Sequence, residues 1–187
     1  CDADVTVKGK QAVGGFAGKV IGTCSFKGCD VKASVTTIYT EKHQTGGFIG
    51  YLDGSTITVE SCNLLEGSTV TDGSSVTETV VSSIGGFFGW AGASDKVDVK
   101  NTSASVAVNA PYARNVGGFI GVIGKGTFKT SGVNVSGSVM ASENAGGFLG
   151  YQENGVVDFS STSTSATVNS GNFSGGFLGR VNTTATL

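Results

Sequence analysis

The chain has few of the residues on which metal binding or membrane insertion depends. Its 187 residues include one His, one Pro, one Met and one Trp, and only 14% of them are charged. One His and no Cys-x-x-Cys pair leave too few ligands at suitable spacing for a zinc site. No apolar run approaches the roughly 18 residues of a membrane-spanning helix. We therefore expect no metal, no cofactor and no membrane insertion.

Charge and catalytic groups are equally sparse. A net charge of −2 gives no electrostatic basis for binding nucleic acid. His43, in a polar stretch, is interpreted as a loop residue without a catalytic partner. The scattered carboxylates are interpreted as turn and solvent-face residues and not as a polysaccharide-cleaving cluster; they are Asp53, Asp95, Asp98, Glu153 and Asp158. We expect a protein that is not an enzyme.

Glycine, in contrast, is abundant and regularly placed. The chain has 31 Gly, and the pentapeptide Gly-Gly-Phe-x-Gly occurs six times, beginning at Gly14, Gly46, Gly85, Gly117, Gly146 and Gly175. The starts are 32, 39, 32, 29 and 29 residues apart. Self-similarity at a period of roughly 30 residues indicates a repeat architecture. The motif does not fit a phosphate loop, because neither GxxxxGK[ST] nor a strand–GxGxxG–helix context is present.

Between the motifs, polar and apolar residues alternate, as is typical of short strands. Turn pairs such as Asp53-Gly54 and Asn154-Gly155 separate them. We predict an all-β protein, a parallel β-solenoid of about five to six coils with three short strands each, forming one domain over residues 1–187. The extra length of the second repeat, Asp72–Ser83, is predicted to be a protruding loop. Because the chain starts and stops inside repeats, we expect a segment of a longer protein or a self-assembling subunit.

The motif itself is interpreted as one of the three strands. Alternation would place its Phe on one face and the next residue on the other, although a sharp bend at the glycines fits as well. The six motif phenylalanines are predicted to form one stacked core ladder: Phe16, Phe48, Phe87, Phe119, Phe148 and Phe177.

The pattern resembles the GLUG-type repeats of large surface adhesins and secreted proteases. The stretches that carry the resemblance are GGFIGYLDGSTITVESC, from Gly46, and GGFLGYQENGVVDF, from Gly146. Phe at all six central positions is a departure from that family. The resemblance implies a secreted or cell-surface location and no particular activity.

Three further sets of residues are candidates for sites. Cys1, Cys29 and Cys62 share one column, with Cys24 as another partner; they form either a disulfide between coils or a ladder of buried thiols. The residue after each motif forms a second column, whose aromatic members either contact glycans or cover a turn: Tyr51, Trp90 and Tyr151. Four asparagines fit the N-glycosylation pattern: Asn101, Asn134, Asn172 and Asn182.

These features favour an extracellular structural or adhesive repeat module, such as a stalk, sheath or filament building block. Its expected partners are copies of itself, neighbouring domains of a longer chain, or surface glycans. An ice-binding solenoid and a glycan-binding or polysaccharide-degrading β-helix are the alternatives. Ice binding would need regularly spaced Thr-x-Thr, which Thr56–Thr58 and Thr162–Thr164 supply, but charged residues at Lys96, Asp98 and Lys129 interrupt the array.

Overall fold

The computed structural model describes residues 1–38, 41–73, 80–92 and 95–182. Over these residues the protein is all-β, and parallel strands stack into a β-solenoid of about five coils, which confirms the predicted fold class. In chain order the strands are β1 (Ala3–Gly9), β2 (Ala12–Gly14), β3 (Ala17–Lys27), β4 (Asp30–Thr37), β5 (Gln44–Gly46), β6 (Ile49–Glu60), β7 (Asn63–Asp72), β8 (Val80–Gly85), β9 (Phe88–Ala91), β10 (Asp95–Lys100), β11 (Ser103–Asn109), β12 (Ala113–Gly117), β13 (Ile120–Ile123), β14 (Gly126–Ser131), β15 (Asn134–Ala141), β16 (Asn144–Gly146), β17 (Leu149–Gln152), β18 (Val156–Ser160), β19 (Ser163–Thr164), β20 (Thr167–Ser170), β21 (Phe173–Gly175) and β22 (Leu178–Val181).

Each coil passes through three sheets in turn. Sheet 1 has the order β1-β4-β7-β11-β15-β19, with β20 also on β15, and sheet 2 has the order β2-β5-β8-β12-β16-β21. Sheet 3 begins with the long strands β3 and β6, and in later coils it splits into β9-β13-β17-β22 and β10-β14-β18. Because every pairing is parallel, equivalent residues of successive coils lie above one another, about 4.8 Å apart.

The Gly-Gly-Phe motif is a corner between sheets 2 and 3, and the interpretation of the pentapeptide as a strand is wrong. Gly46 ends β5, Ile49 begins β6, and the two residues between them form a bend. Since the chain turns there, Phe48 and Ile49 both point inward, and each is 0% exposed. Phe and the residue after it therefore do not lie on opposite faces. The alternative of a sharp bend at the glycines is the one observed.

The glycines are required because backbones meet at this corner. A Cβ on Gly46 would overlap the carbonyl oxygen of Ile49 in the same turn. A Cβ on Gly47 would overlap the carbonyl oxygen of Gly86 in the next coil. Only a residue without a side chain permits this approach of sheet 2 to sheet 3.

The motif phenylalanines lie one above another along the solenoid axis. Ring centroids of successive rungs are 4.8, 4.4, 4.9, 4.9 and 5.0 Å apart, with interplanar angles of 6° to 19°. The four inner rings are fully buried, whereas Phe16 and Phe177 at the two ends are partly exposed. Rings of sheet 3, such as Phe26 and Phe128, meet this ladder or its neighbours edge-on. Such offset or edge contacts are the arrangements that aromatic quadrupoles prefer.

A second corner, between sheets 3 and 1, uses the left-handed backbone conformation. The residues at this corner are Gly28, Ser61, Asn101, Gly132 and Ser161, with φ between 47° and 67°. The amide N–H of each of the first four donates to a carbonyl oxygen of the next coil. Gly and Asn suit this conformation better than other residues do, and the two serines adopt it with some backbone strain.

The remaining predicted segments are placed as follows. Ala3–Gly9 is a strand, as its alternation predicts. Both ends of the predicted protruding loop Asp72–Ser83 belong to strands, because β7 extends to Asp72 and β8 begins at Val80. Ser83 is buried within sheet 2. Residues 74–79 of that segment lie outside the described residues.

Phe119→Ala should lower the free energy of unfolding by about 3–5 kcal/mol, because it removes a fully buried ring from the middle of the ladder. Urea denaturation followed by circular dichroism measures the change. Phe173→Ala is the control, since this ring is 48% exposed, and its effect should stay within about 0.5 kcal/mol. Equal losses in both variants would contradict the assignment of the stability to the ladder.

Gly118→Ala should also destabilise the protein, by about 1–3 kcal/mol or more, because the new Cβ would overlap the Gly147 carbonyl oxygen. Gly176 occupies the same motif position on the last rung, where a Cβ would meet no atom of the described residues within 4 Å. Gly176→Ala should therefore leave the melting temperature nearly unchanged. Comparable thermal shifts in the two variants would show that backbone approach is not what requires glycine.

Candidate functional site

One candidate site lies where a column of sheet 3 faces a column of sheet 2. The sheet 3 column consists of the residues that follow each motif, which are in register: Lys19, Tyr51, Trp90, Val122, Tyr151 and Arg180. Its three aromatic side chains are half-buried. The rings of Tyr51 and Trp90 are 5.6 Å apart, and Val122 separates Trp90 from Tyr151.

The opposing column on sheet 2 is polar. It contains Gln44, Ser83, Asn115 and Asn144, which are paired in register. Between the two columns lies a groove of about 310 Å³, at the lower end of the range of small-molecule sites. We call it the amide–aromatic groove and define it by Ser83, Asn115, Asn144, Trp90, Val122 and Tyr151.

The polar side of this groove escaped the sequence analysis. Ser83, Asn115 and Asn144 each stand two residues before a glycine pair, so a common offset from the motif was the available signal. That offset predicts a shared groove only if the motif is known to be a corner. The corner brings the residues on its two sides together.

Two buried polar atoms of the groove lack partners in the described part of the chain. Asn144 donates from Nδ2 to Asn115 Oδ1 at 2.7 Å, which leaves Asn144 Oδ1 without a hydrogen bond. Asn144 and Asn115 are only 2% and 7% exposed. The indole Nε1 of Trp90 is likewise buried without an acceptor. Orphan buried polar groups are uncommon in folded proteins and mark places where a ligand or water completes the bonding.

Charged side chains surround the groove and partly neutralise one another. Arg114 donates to Glu143 from Nε at 2.5 Å and from Nη2 at 3.3 Å, and this bond raises the pKa of Arg114. Arg180 is 3.7 Å from the same carboxylate and lies 5.5 Å from the Tyr151 ring. Lys42 Nζ lies 4.6 Å from the Trp90 ring centroid.

Most of the scattered carboxylates form ion pairs at the surface. Asp53 binds Lys19 at 2.8 Å, Asp98 binds Lys100 at 2.9 Å, and Asp158 lies 3.7 Å from Lys129. Hydrogen bonds to these partners raise the pKa of Lys19 and of Lys100. Burial and then the Asp53 carboxylate raise the pKa of Tyr51, so its hydroxyl remains a proton donor. Among the described residues, no three His, Cys, Asp or Glu side chains are grouped as metal ligands would be.

Asp95 is an exception to the solvent-face interpretation, because it is only 1% exposed. Its carboxylate accepts hydrogen bonds from the backbone N–H of Ser55, at 2.5 Å, and of Gly92. Burial is the larger influence and raises the pKa of Asp95. The side chain ties the start of β10 to β6 of the preceding coil and to Gly92, which follows β9.

His43 lies in the loop between β4 and β5, as predicted, but its side chain is buried. It is 0% exposed, its Nδ1 is 2.8 Å from the Glu41 carbonyl oxygen, and its Nε2 is 3.9 Å from Asp72 Oδ1. The neighbouring hydroxyls of Thr37 and Thr45 hydrogen-bond to each other. His43, Thr37 and Thr45 are all buried and are not among the residues that line the groove.

All four cysteines are free thiols. Cys29 and Cys62 are buried in adjacent coils, and their thiols donate to the carbonyl oxygens of Lys27 at 3.6 Å and Glu60 at 3.5 Å. Thr102 makes the same bond to Lys100 in the next coil. The two thiols thus occupy a corner position that a hydroxyl holds elsewhere.

Burial raises the pKa of Cys62, which keeps that thiol protonated. Cys1 is exposed, and Cys24 lies on sheet 3 opposite Ile57, away from this column. The structure contains no disulfide among these four cysteines, so a bridge between coils stays a prediction. The four candidate glycosylation sites, Asn101, Asn134, Asn172 and Asn182, are all exposed.

Comparison of the chain with protein-family models, curated proteins and solved structures finds no match. The strands account for the regular structure of the described ranges, which contain no helix long and apolar enough to cross a membrane.

Asp95→Asn should change how stability depends on pH. Because the folded-state pKa of Asp95 is raised above the ordinary 3.8, the folded protein binds this proton more tightly than the unfolded chain does. Between the ordinary pKa of 3.8 and the raised folded-state pKa, the free energy of unfolding of the wild type should therefore fall as pH rises, relative to that of Asp95→Asn. Urea denaturation over a pH series measures the difference between the two proteins.

Asp98→Asn serves as the matched control. Its carboxylate is an exposed partner of Lys100, and an exposed ion pair contributes little to stability, so the variant should keep most of the wild-type free energy of unfolding. A wild-type stability that rises with pH relative to Asp95→Asn would contradict the burial argument.

Proposed function

We propose that the protein is an extracellular structural or adhesive repeat module that acts through contacts of its surface with other molecules. The observation that carries this proposal is the continuous stacking of three parallel sheets on one phenylalanine ladder. Each coil is held by its neighbours above and below, so the body is stiff along its axis. Its side chains are displayed in columns that repeat at every coil.

Two further points support an extracellular setting. The Gly-Gly-Phe corners resemble GLUG-type repeats, which occur in large surface adhesins. The exposed positions of sheet 1 are mostly polar or small, as Ser34, Ser138 and Thr167 illustrate, which suits a solvated surface. Repeat bodies of this kind use extended faces and grooves for binding.

The ice-binding alternative is not favoured on sheet 3. Lys96 lies in register between Thr56 and Thr127, and Asp98 lies between Thr58 and Lys129. Ice binding would require a flat array of threonines on this face, and the charged side chains of Lys96 and Asp98 interrupt it. Thr162 and Thr164 lie away from this face, next to and within sheet 1.

Adhesion can be tested with beads that carry the purified chain. The beads are placed in a flow cell on three surfaces, coated with the same chain, with an extracellular protein such as fibronectin, or with a neutral polysaccharide. We expect retention under shear on at least one surface, above that of beads coated with serum albumin. Retention no greater than that of albumin beads on all three surfaces would overturn the proposal.

A further inference from the structure

The geometry points to the amide–aromatic groove as a binding site for an uncharged saccharide chain that lies along the solenoid axis. This inference rests on the proposed adhesive function and names the ligand of one of its surfaces. It goes beyond the aromatic column alone, because the amide side chains of sheet 2 and the flanking charges determine which class of ligand the groove can bind.

The amide side of the groove is built to receive hydroxyl groups. Asn144 lines the groove and is fixed by its bond to Asn115, and its buried Oδ1 has no hydrogen-bond partner among the described residues. A side-chain amide offers both donors and acceptors, as each sugar hydroxyl also does. A hydroxyl that donates to Asn144 Oδ1 would remove the cost of leaving a buried acceptor unpaired.

The opposite side supplies apolar surface at matching intervals. Trp90 and Tyr151 are separated by one coil, which places them about 10 Å apart at the usual strand spacing. Val122 lies between them as a flat floor without polar atoms. Aromatic rings with one polar end suit the C–H faces and hydroxyl edges of sugar rings.

The length of the groove favours a chain over a single sugar. Its lining extends from Lys42, beside Trp90, to Arg180, beside Tyr151. These two cations lie over the aromatic rings at its ends, where sugar hydroxyls can accept hydrogen bonds from them. A linear oligosaccharide would contact the amide of one coil and the aromatic ring of the next.

Three cations and two carboxylates lie at the groove, so its charges nearly balance and favour an uncharged ligand over an anion. Glu143 engages both Arg114 and Arg180, and Glu153 adds a second carboxylate to the lining. An anionic sugar would have to compete with Glu143 for the two guanidinium groups. A neutral hydroxylated chain can use donors and acceptors of both signs without breaking the ion pairs.

Trp90 makes the inference directly testable, because it is the only tryptophan in the chain and its fluorescence reports this groove alone. The probes are cello-, xylo- and manno-oligosaccharides, titrated into the intact chain. We expect a saturable change in emission with at least one of them. Retardation of the protein in gels that contain the corresponding polysaccharide provides a second, independent measurement.

Tyr151→Ala should weaken the binding by about tenfold, which corresponds to ~1.4 kcal/mol, while the melting temperature shows that the variant folds. Tyr112→Ala is the matched control, since this tyrosine is exposed and outside the groove, and it should bind as the wild type does. Equal binding by the two variants would overturn the assignment to the groove.

Two other outcomes would also overturn the inference. One is the absence of any saturable change with the neutral probes, and the other is a response only to a charged polymer such as polygalacturonate. Beads that adhere to self-coated or fibronectin-coated surfaces while the neutral probes leave Trp90 unchanged would contradict the saccharide site and leave the adhesive function standing.

Discussion

The close approach of two backbones at the Gly-Gly-Phe corner is the constraint on which the rest of the solenoid depends. Where sheets 2 and 3 meet, a Cβ on Gly47, Gly86 or Gly118 would collide with a carbonyl oxygen of the next coil. The tight bend turns both the phenylalanine and its successor inward. The aromatic ladder is therefore a consequence of the corner, and burial of its rings in turn holds the coils in register.

The repeat period and the alternation between motifs were sufficient to predict a parallel β-solenoid, because like residues at a fixed interval can all be buried only by stacking. The corner could not be predicted with the same certainty. A glycine pair beside Phe48 indicates close approach of backbone, but residue alternation cannot distinguish a straight strand from a bend. The inward direction of Ile49 depends on that distinction.

For a related reason, only the aromatic side of the candidate site could be predicted from the sequence. Trp90 and Tyr151 each follow a Gly-Gly-Phe-x-Gly motif directly, so their common position in the repeat could be read from the sequence. Asn115 and Asn144 lie on the other side of the corner and belong to a different sheet, and only the fold shows that they face the aromatic column. The burial of Asp95 and His43 was equally hidden, because each depends on a partner about 30 to 40 residues away, Ser55 and Asp72 respectively.

The corner hydrogen bonds also give the body a direction. At every Gly-Gly-Phe corner that has a following coil, the second glycine and the phenylalanine donate their N–H groups toward that coil, as Gly15 does to Gly47 and Phe148 does to Phe177. One edge of this column consequently presents carbonyl oxygens, while the other presents N–H groups. Two copies could join these edges only head to tail, because like edges offer like groups. Such a contact would be heterologous, and its repetition would build a polar fibre in place of a closed symmetric dimer.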